Sequence, residues 1–169
     1  MMRLTRQYAY GFLASVPDED KLAMYYELQR LSEVLAELEG YVAIVEFRPE
    51  EMEKLSELLA DDFHPLIINF LRVLAQDSLL NRLDTIAEDY RFGLVEADLL
   101  VEVHVSSAAP VSDEFKEKIT QLIQENWTTD YILNFTVDSD LIGGVRLEAN
   151  NAVIDTTFRS RINQILREV

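Results

Sequence analysis

The chain has 169 residues, no cysteine, 49% hydrophobic and 27% charged residues, and a formal net charge of −16 from 15 basic and 31 acidic side chains. That size and balance suit one globular domain or two small ones, with a core that hides roughly two-thirds of the unfolded surface. They exclude a largely disordered chain, a disulfide scaffold, thiolate metal sites and cysteine nucleophiles, and the negative sign repels nucleic acid and anionic lipid headgroups while suiting basic protein partners.

Residues 1–98 hold 9 basic and 20 acidic side chains, a net of −11; residues 99–169 hold 6 and 11, a net of −5. The opening Met-Met-Arg-Leu-Thr-Arg lacks the apolar core and cleavage site of a signal peptide. No stretch approaches the ~20 apolar residues that span a bilayer. The most apolar run, Pro65 to Ala75, is broken by Asn69 and Arg72. The expectation is a soluble, intracellular chain with no direct membrane insertion, held at a membrane only through another protein.

Leu4, Tyr8 and Phe12 recur four apart, one stripe of a helix over 4–14. Gly11 weakens that helix by about 1 kcal/mol relative to Ala unless something must approach its bare backbone. Ser15-Val16-Pro17-Asp18 is expected to stop it and cap the next. Over 18–39, Leu22, Tyr25, Leu28, Leu31, Leu35 and Leu38 recur at helical steps, after an acidic start at Asp18, Glu19 and Asp20 that the helix dipole favours. Gly40 reads as the stop. Tyr41 to Phe47 is short, apolar and β-branched; between helices, with no strand signal beside it, it reads as a short buried helix. Pro49-Glu50-Glu51 opens the next helix, carrying Met52, Leu55, Leu58 and Leu59.

Asp61, Asp62 and His64-Pro65 introduce a helix to about Leu74 that has little polar face. Such a helix is central to a bundle or offers a surplus apolar face to a partner. Leu79, Leu83, Ile86, Tyr90 and Leu94 mark a last, longer helix. Residues 1–98 therefore read as a six-helix bundle.

The period then changes from 3.6 to 2. Val101, Val103 and Val105 alternate with Glu102 and His104, which are assigned outward. Ser112 can cap a helix over 113–126 with Phe115, Ile119, Leu122 and Ile123 inside. Strands follow at Tyr131–Val137, Val145–Ala149 and Ala152–Asp155, the last two joined by Asn150-Asn151, which suits a type I′ hairpin. That loop sets Ala149 opposite Ala152, Leu147 opposite Ile154 and Arg146 opposite Asp155. Phe158, Ile162, Ile165, Leu166 and Val169 make a terminal amphipathic helix. The fold class is α+β: a six-helix bundle over 1–98, then a small β-α-β-β-β-α domain over 99–169.

No catalytic constellation emerges. His64 and His104 fall in different domains, and each reads as structural or solvated. Asp138, Asp140 and Glu148 match no calcium loop; the two aspartates read as turn residues that bind nearby backbone N–H groups. Gly143-Gly144 precedes a strand and lacks the Gly-Lys-Ser/Thr ending of a phosphate loop, so it reads as a bulge or tight bend. No metal and no cofactor is expected. The surplus apolar faces of the 4–14 and 65–74 helices are the candidates for a partner groove, with core packing as the plain alternative.

Val137-Asp138-Ser139-Asp140-Leu141-Ile142-Gly143-Gly144-Val145, followed by Ala152-Val153-Ile154-Asp155 and a helix holding Arg159 and Leu166, closely resembles the C-terminal signature of the ATP synthase delta subunit family, which includes the oligomycin-sensitivity-conferring protein. Ser107-Ala108-Ala109-Pro110-Val111-Ser112 is similar to its Ser-Ala-x-Pro-Leu-Ser segment. Asn69-Phe70-Leu71 with Leu74, and Tyr8-Ala9-Tyr10-Gly11-Phe12, are similar to its helical motifs. The chain departs from the family pattern at Gly11, at Asn150-Asn151 and at Thr156-Thr157.

The resemblance implies a non-catalytic stator subunit at the cytoplasmic face of the cell membrane, peripheral, within the ATP synthase complex. It implies a helical domain on the catalytic head that binds N-terminal helices of the alpha subunits, and a C-terminal domain that meets the ends of the b subunits, so that rotor torque drives ATP synthesis. Tyr8, Phe12, Phe70 and Leu74 are the residues expected at the alpha-subunit groove. Asp138, Gly143, Gly144, Arg146 and Asp155 are the structural motif. Two other readings stand beside it: a small phosphate- or nucleotide-binding protein using Gly143-Gly144, and an acidic adaptor for another basic protein.

Overall fold

The computed structural model describes residues 3–126, 129–141, 145–149 and 156–167, apart from the side chains of 46, 47, 49, 126 and 156–160. The fold is α+β, helices followed by a small mixed sheet. The chain divides into two compact units, Met1–Glu96 and Ala97–Val169.

In the first unit, helix α1 spans Leu4–Ser15 and α2 spans Lys21–Glu37 after a 3-10 turn at Asp18–Asp20. Helices α3 (Glu39–Phe47), α4 (Pro49–Leu59) and α5 (Pro65–Gln76) follow. A second 3-10 turn at Leu80–Arg82 leads into α6 (Leu83–Glu96). The periodic leucines do what their spacing predicts: Leu28, Leu31 and Leu35 of α2 and Leu83, Ile86 and Leu94 of α6 are buried. Tyr90 is buried with them, and its hydroxyl donates to the Lys21 carbonyl at 3.0 Å. Burial pushes the Tyr90 phenol far above its ordinary range, so it stays a neutral donor.

Helix α1 packs extensively on α6. Gly93 permits the approach, since a Cβ there would come within 2.7 Å of Leu13 Cδ2. The α1 end is set by Val16, extended ahead of Pro17.

Four local expectations change. Asp18 is not a cap: Pro17 takes the N-cap position of the 3-10 turn and Asp20 that of α2, neither with a side-chain cap bond, and the Asp18 carboxylate takes a 2.6 Å bond from Lys21 Nζ. Gly40 is not a stop. The chain breaks at Leu38, whose N–H turns back to Leu35 O at 3.1 Å, and Gly40 continues as helix within α3. That break needs no left-handed residue, so a glycine's freedom is not used. Leu79 precedes the last helix rather than joining it. Leu58 is 68% exposed, because α4 turns Met52, Leu55 and Leu59 inward and Leu58 lies off that stripe. The short α3 is a helix as expected, with Val42 and Val45 buried and Ile44 left half-exposed.

The second unit holds β1 (Leu100–Ser107), α7 (Asp113–Asn126), β2 (Asp130–Val137), β3 (Val145–Ala149) and α8 (Thr156–Leu166). The sheet order is β2-β1-β3. Strand β1 pairs in parallel with β2, Val103 beside Leu133, as a strand–helix–strand crossover requires, and antiparallel with β3, Val105 beside Leu147. Val101, Val103 and Val105 meet Phe115, Ile119 and Ile123 of α7 and Ile162 of α8 in one core. Ser112 accepts from the Phe115 N–H at 3.3 Å and caps α7 as its sequence position suggested.

Glu102, assigned outward by alternation, is buried, with one carboxylate oxygen 3.7 Å from His104 Nε2. The central place of β1 shields positions that a two-residue period alone gives to solvent.

Beyond β2, the Asp138 N–H donates to Ser107 O at 2.8 Å, and Asp138 Oδ1 accepts from the Asp140 N–H at 3.0 Å. Asp138 is thus a turn residue. The expectations placed on Gly143-Gly144, the Asn150-Asn151 loop, the Ala152–Asp155 strand and the Arg146–Asp155 pair lie outside the described residues. Arg146 itself sits in β3 opposite Ser106.

Candidate functional site

The first unit carries a groove of about 520 Å³ between α1 and α5. From α1 it takes Leu4, Gln7, Tyr8, Gly11, Phe12 and Ser15; from α5 it takes Leu66, Asn69, Phe70 and Val73. Both sets follow three- and four-residue steps, so each helix contributes one face. No lining side chain is charged.

The floor is aromatic. The Phe12 and Phe70 rings stack at 4.3 Å, and Tyr90 lies 5.7 Å from Phe12. At the rim Leu4 and Val73 are 53% and 44% exposed. A Cβ built at Gly11 meets nothing within 4 Å, so the missing side chain leaves the groove wall low on the α1 side.

Polar bonds hold the two walls. The Tyr8 hydroxyl donates to the Asp77 carboxylate just past α5, and that bond holds the Tyr8 phenol above its ordinary range. Asn69 Oδ1 accepts from Arg72 at 3.2 Å, and Arg72 reaches Glu53 of α4 at 3.3 Å. His64 sets the start of α5: its Nδ1 accepts from the Leu66 N–H at 3.2 Å, and its own N–H donates to Glu27 at 2.7 Å. His64 is therefore structural.

On a different face of α1, Arg6 donates to Tyr10 and to Glu96 at 2.6 Å each, and the Tyr10 hydroxyl donates to the same carboxylate. The bonds from Tyr10 and Arg6 hold the Glu96 carboxyl below the usual glutamate range. This clasp joins α1 to the last residue of α6.

Of the residues expected at a groove, Tyr8, Phe12 and Phe70 line this one together. Leu74 does not: it is fully buried in the core, and Val73 takes the wall position. Beyond the expected residues, Leu4, Gln7, Gly11, Ser15, Leu66, Asn69 and Val73 also line the groove. Extending the Leu4-Tyr8-Phe12 stripe by three-residue steps marks Gln7, Gly11 and Ser15. From Phe70, a four-residue step back marks Leu66 and a three-residue step on marks Val73, and Asn69 lies three beyond Leu66.

The groove holds no carboxylate, histidine, lysine or arginine in its lining, and its two hydroxyls are engaged, Tyr8 with Asp77 and Ser15 with Phe12 O at 2.7 Å. It can receive the apolar face of a helix, anchored at i, i+3, i+4 and i+7 positions. Each 12-residue wall is about 18 Å long, room for about three turns.

Comparisons with known proteins agree with this reading of the fold. A chain of the cryo-EM structure of the Toxoplasma gondii mitochondrial ATP synthase hexamer superposes with a TM-score of 0.59 at 15% identity, covering 99% of this chain and 97% of that one. The ATP synthase subunit delta of Thioalkalivibrio sulfidiphilus is 30% identical over 155 residues, 92% of this chain and 79% of that protein. That of Enterococcus hirae is 28% identical over 152 residues, 86% of this chain and 83% of that protein. The family model described as the ATP synthase delta (OSCP) subunit matches residues 4–169. The chain belongs to the ATP synthase delta (OSCP) subunit family.

Proposed function

We propose that this chain is the joint of a stator, with the α1–α5 groove receiving an amphipathic N-terminal helix of an alpha subunit and the second unit meeting the ends of the b subunits. The subunit is a non-catalytic component of the ATP synthase peripheral stalk. No helix among the described residues is long and apolar enough to cross a membrane, and in this proposal the chain meets the membrane only through the complex. In this proposal a six-helix bundle grips the head and a complete β-α-β-β-β-α domain grips the stalk, at the cytoplasmic face of the cell membrane. The joint keeps the head from turning with the rotor.

The observation that supports the alpha-subunit contact is the uncharged, aromatic-floored groove, which carries Tyr8, Phe12 and Phe70 on one surface. Calorimetry with the full chain tests it. A peptide of the alpha-subunit N-terminus binds, and Gly11→Trp, which fills the low wall, removes that binding. If neither the peptide nor intact catalytic heads bind, the reading fails.

A further inference from the structure

Strand β2 ends the sheet order β2-β1-β3, so its one paired edge faces β1. Among the described residues nothing bonds to its other edge. An open edge is a row of unmet backbone donors and acceptors, which proteins commonly blunt with proline, lysine, a bulge or a very short strand. None of these devices is present in β2. It pairs with β1 over eight residues, Asp130–Val137, in continuous register, and contains no proline, glycine, lysine or arginine. The layer beneath this edge is unfinished too. Tyr131, Leu133 and Phe135 pack on the core of the second unit but stay only partly buried, whereas their β1 partners Val101, Val103 and Val105 are buried.

Charge identifies the occupant. The open edge lies between acids, with Asp130 at its start and Asp138 and Asp140 just past its end. Asp130 and Asp140 are exposed and have no cationic partner among the described residues. In-register pairing of two β2 edges, parallel or antiparallel, brings acid against acid, which argues against a second copy of this chain. We infer that β2 takes an added strand from a partner protein, an extended segment with apolar residues at every second position and a lysine or arginine toward each end. Main-chain bonds along the edge hold it, and its apolar side chains continue the layer of Tyr131, Leu133 and Phe135. The cations answer the acids at the two ends, reinforced by the net charge of −5 over residues 99–169. The inference concerns this edge alone and does not depend on the groove or on the b-subunit reading.

Calorimetry and amide hydrogen exchange on the full chain test it, with a peptide of about ten residues, enough for one strand, that alternates valine and threonine between terminal lysines. In the chain alone, the β2 amides bonded to β1 exchange slowly and the intervening ones fast. The expected result is binding that slows the fast set, is lost when the interior amides of the peptide are N-methylated, and weakens at least about tenfold when its lysines become glutamates. Asp130→Asn/Asp140→Asn on the chain weakens binding in the same way; both side chains are exposed, so this variant should fold. Glu50→Gln/Asp61→Asn, in the first unit, leaves binding unchanged. An equal loss in that control assigns the binding to the general negative field and overturns the inference. Unaltered exchange along β2, equal binding by the N-methylated or glutamate-ended peptide, or no binding by the unaltered chain overturns it as well. Dimerisation of the chain alone in sedimentation, with the fast β2 amides protected in the dimer, assigns the edge to a second copy and has the same effect.

Discussion

The Phe12 and Phe70 rings lie 9° from parallel with centroids 4.3 Å apart, and they are the direct aromatic contact between the two walls of the groove. Both rings are buried despite lining it. Truncation to Ala at either position should cost about 3–5 kcal/mol in urea unfolding. The double variant should cost about 0.5–1.5 kcal/mol less than the sum, because the stack is lost only once. Strict additivity would show that the rings stabilise the unit independently.

Gly11 and Gly93 both sit inside helices and should respond oppositely. A methyl at Gly11 meets open space, so Gly11→Ala should raise stability by about 1 kcal/mol through helix propensity alone. A side chain at Gly93 runs into Leu13 and Tyr10, so Gly93→Val should lower stability by about 1–3 kcal/mol. Thermal unfolding of the two variants beside the parent decides both.

His64 can be replaced selectively. Its ring nitrogen accepts from the Leu66 N–H, so His64→Ala should cost about 1 kcal/mol. His64→Asp keeps an acceptor and adds a negative charge at a helix start, and it should hold or exceed the parent's melting temperature. A loss in His64→Asp equal to that in His64→Ala would exclude the capping role.

Acid sensitivity should follow the Arg6–Tyr10–Glu96 clasp. The folded Glu96 carboxyl titrates below its unfolded value, which is about 4.3. The unfolded chain therefore takes up the proton first. The stabilisation is complete above the ordinary glutamate range and is lost as pH falls through the folded value. Glu51 and Asp113 are shifted the same way by Lys54 and Lys116, so Glu96→Gln should flatten the acid slope without abolishing it. Chemical denaturation at a series of pH values, compared between variant and parent, measures the change.

Element type was legible wherever one period ran unopposed. The leucines of α2 and the valines of β1 each fix a face, and both helices and strand formed there. Spacing along the chain does not resolve burial that depends on a third dimension. In α5 nearly every residue is apolar, so spacing cannot separate the wall from the core: Leu74 and Val73 are adjacent, yet one is fully buried and the other lies on the rim. Glu102 failed for the complementary reason, since a central strand can bury a polar position that alternation assigns outward. Gly40 looked like a helix stop because glycine commonly ends helices, but the break at Leu38 needed no positive φ. The groove was half visible as two apolar faces; that they meet, with Gly11 leaving one wall low, required the packing of α1 beside α5.

The uncharged lining of the α1–α5 groove has a mechanical consequence. Salt largely screens exposed charges separated by more than about 10 Å at moderate ionic strength, but it would have little purchase on a partner helix seated against Leu4, Phe12, Phe70 and Val73. Excluded salts such as sulfate tighten such contacts, and cooling loosens them. A coupling fastened this way should tolerate swings in ion concentration and slip first in the cold.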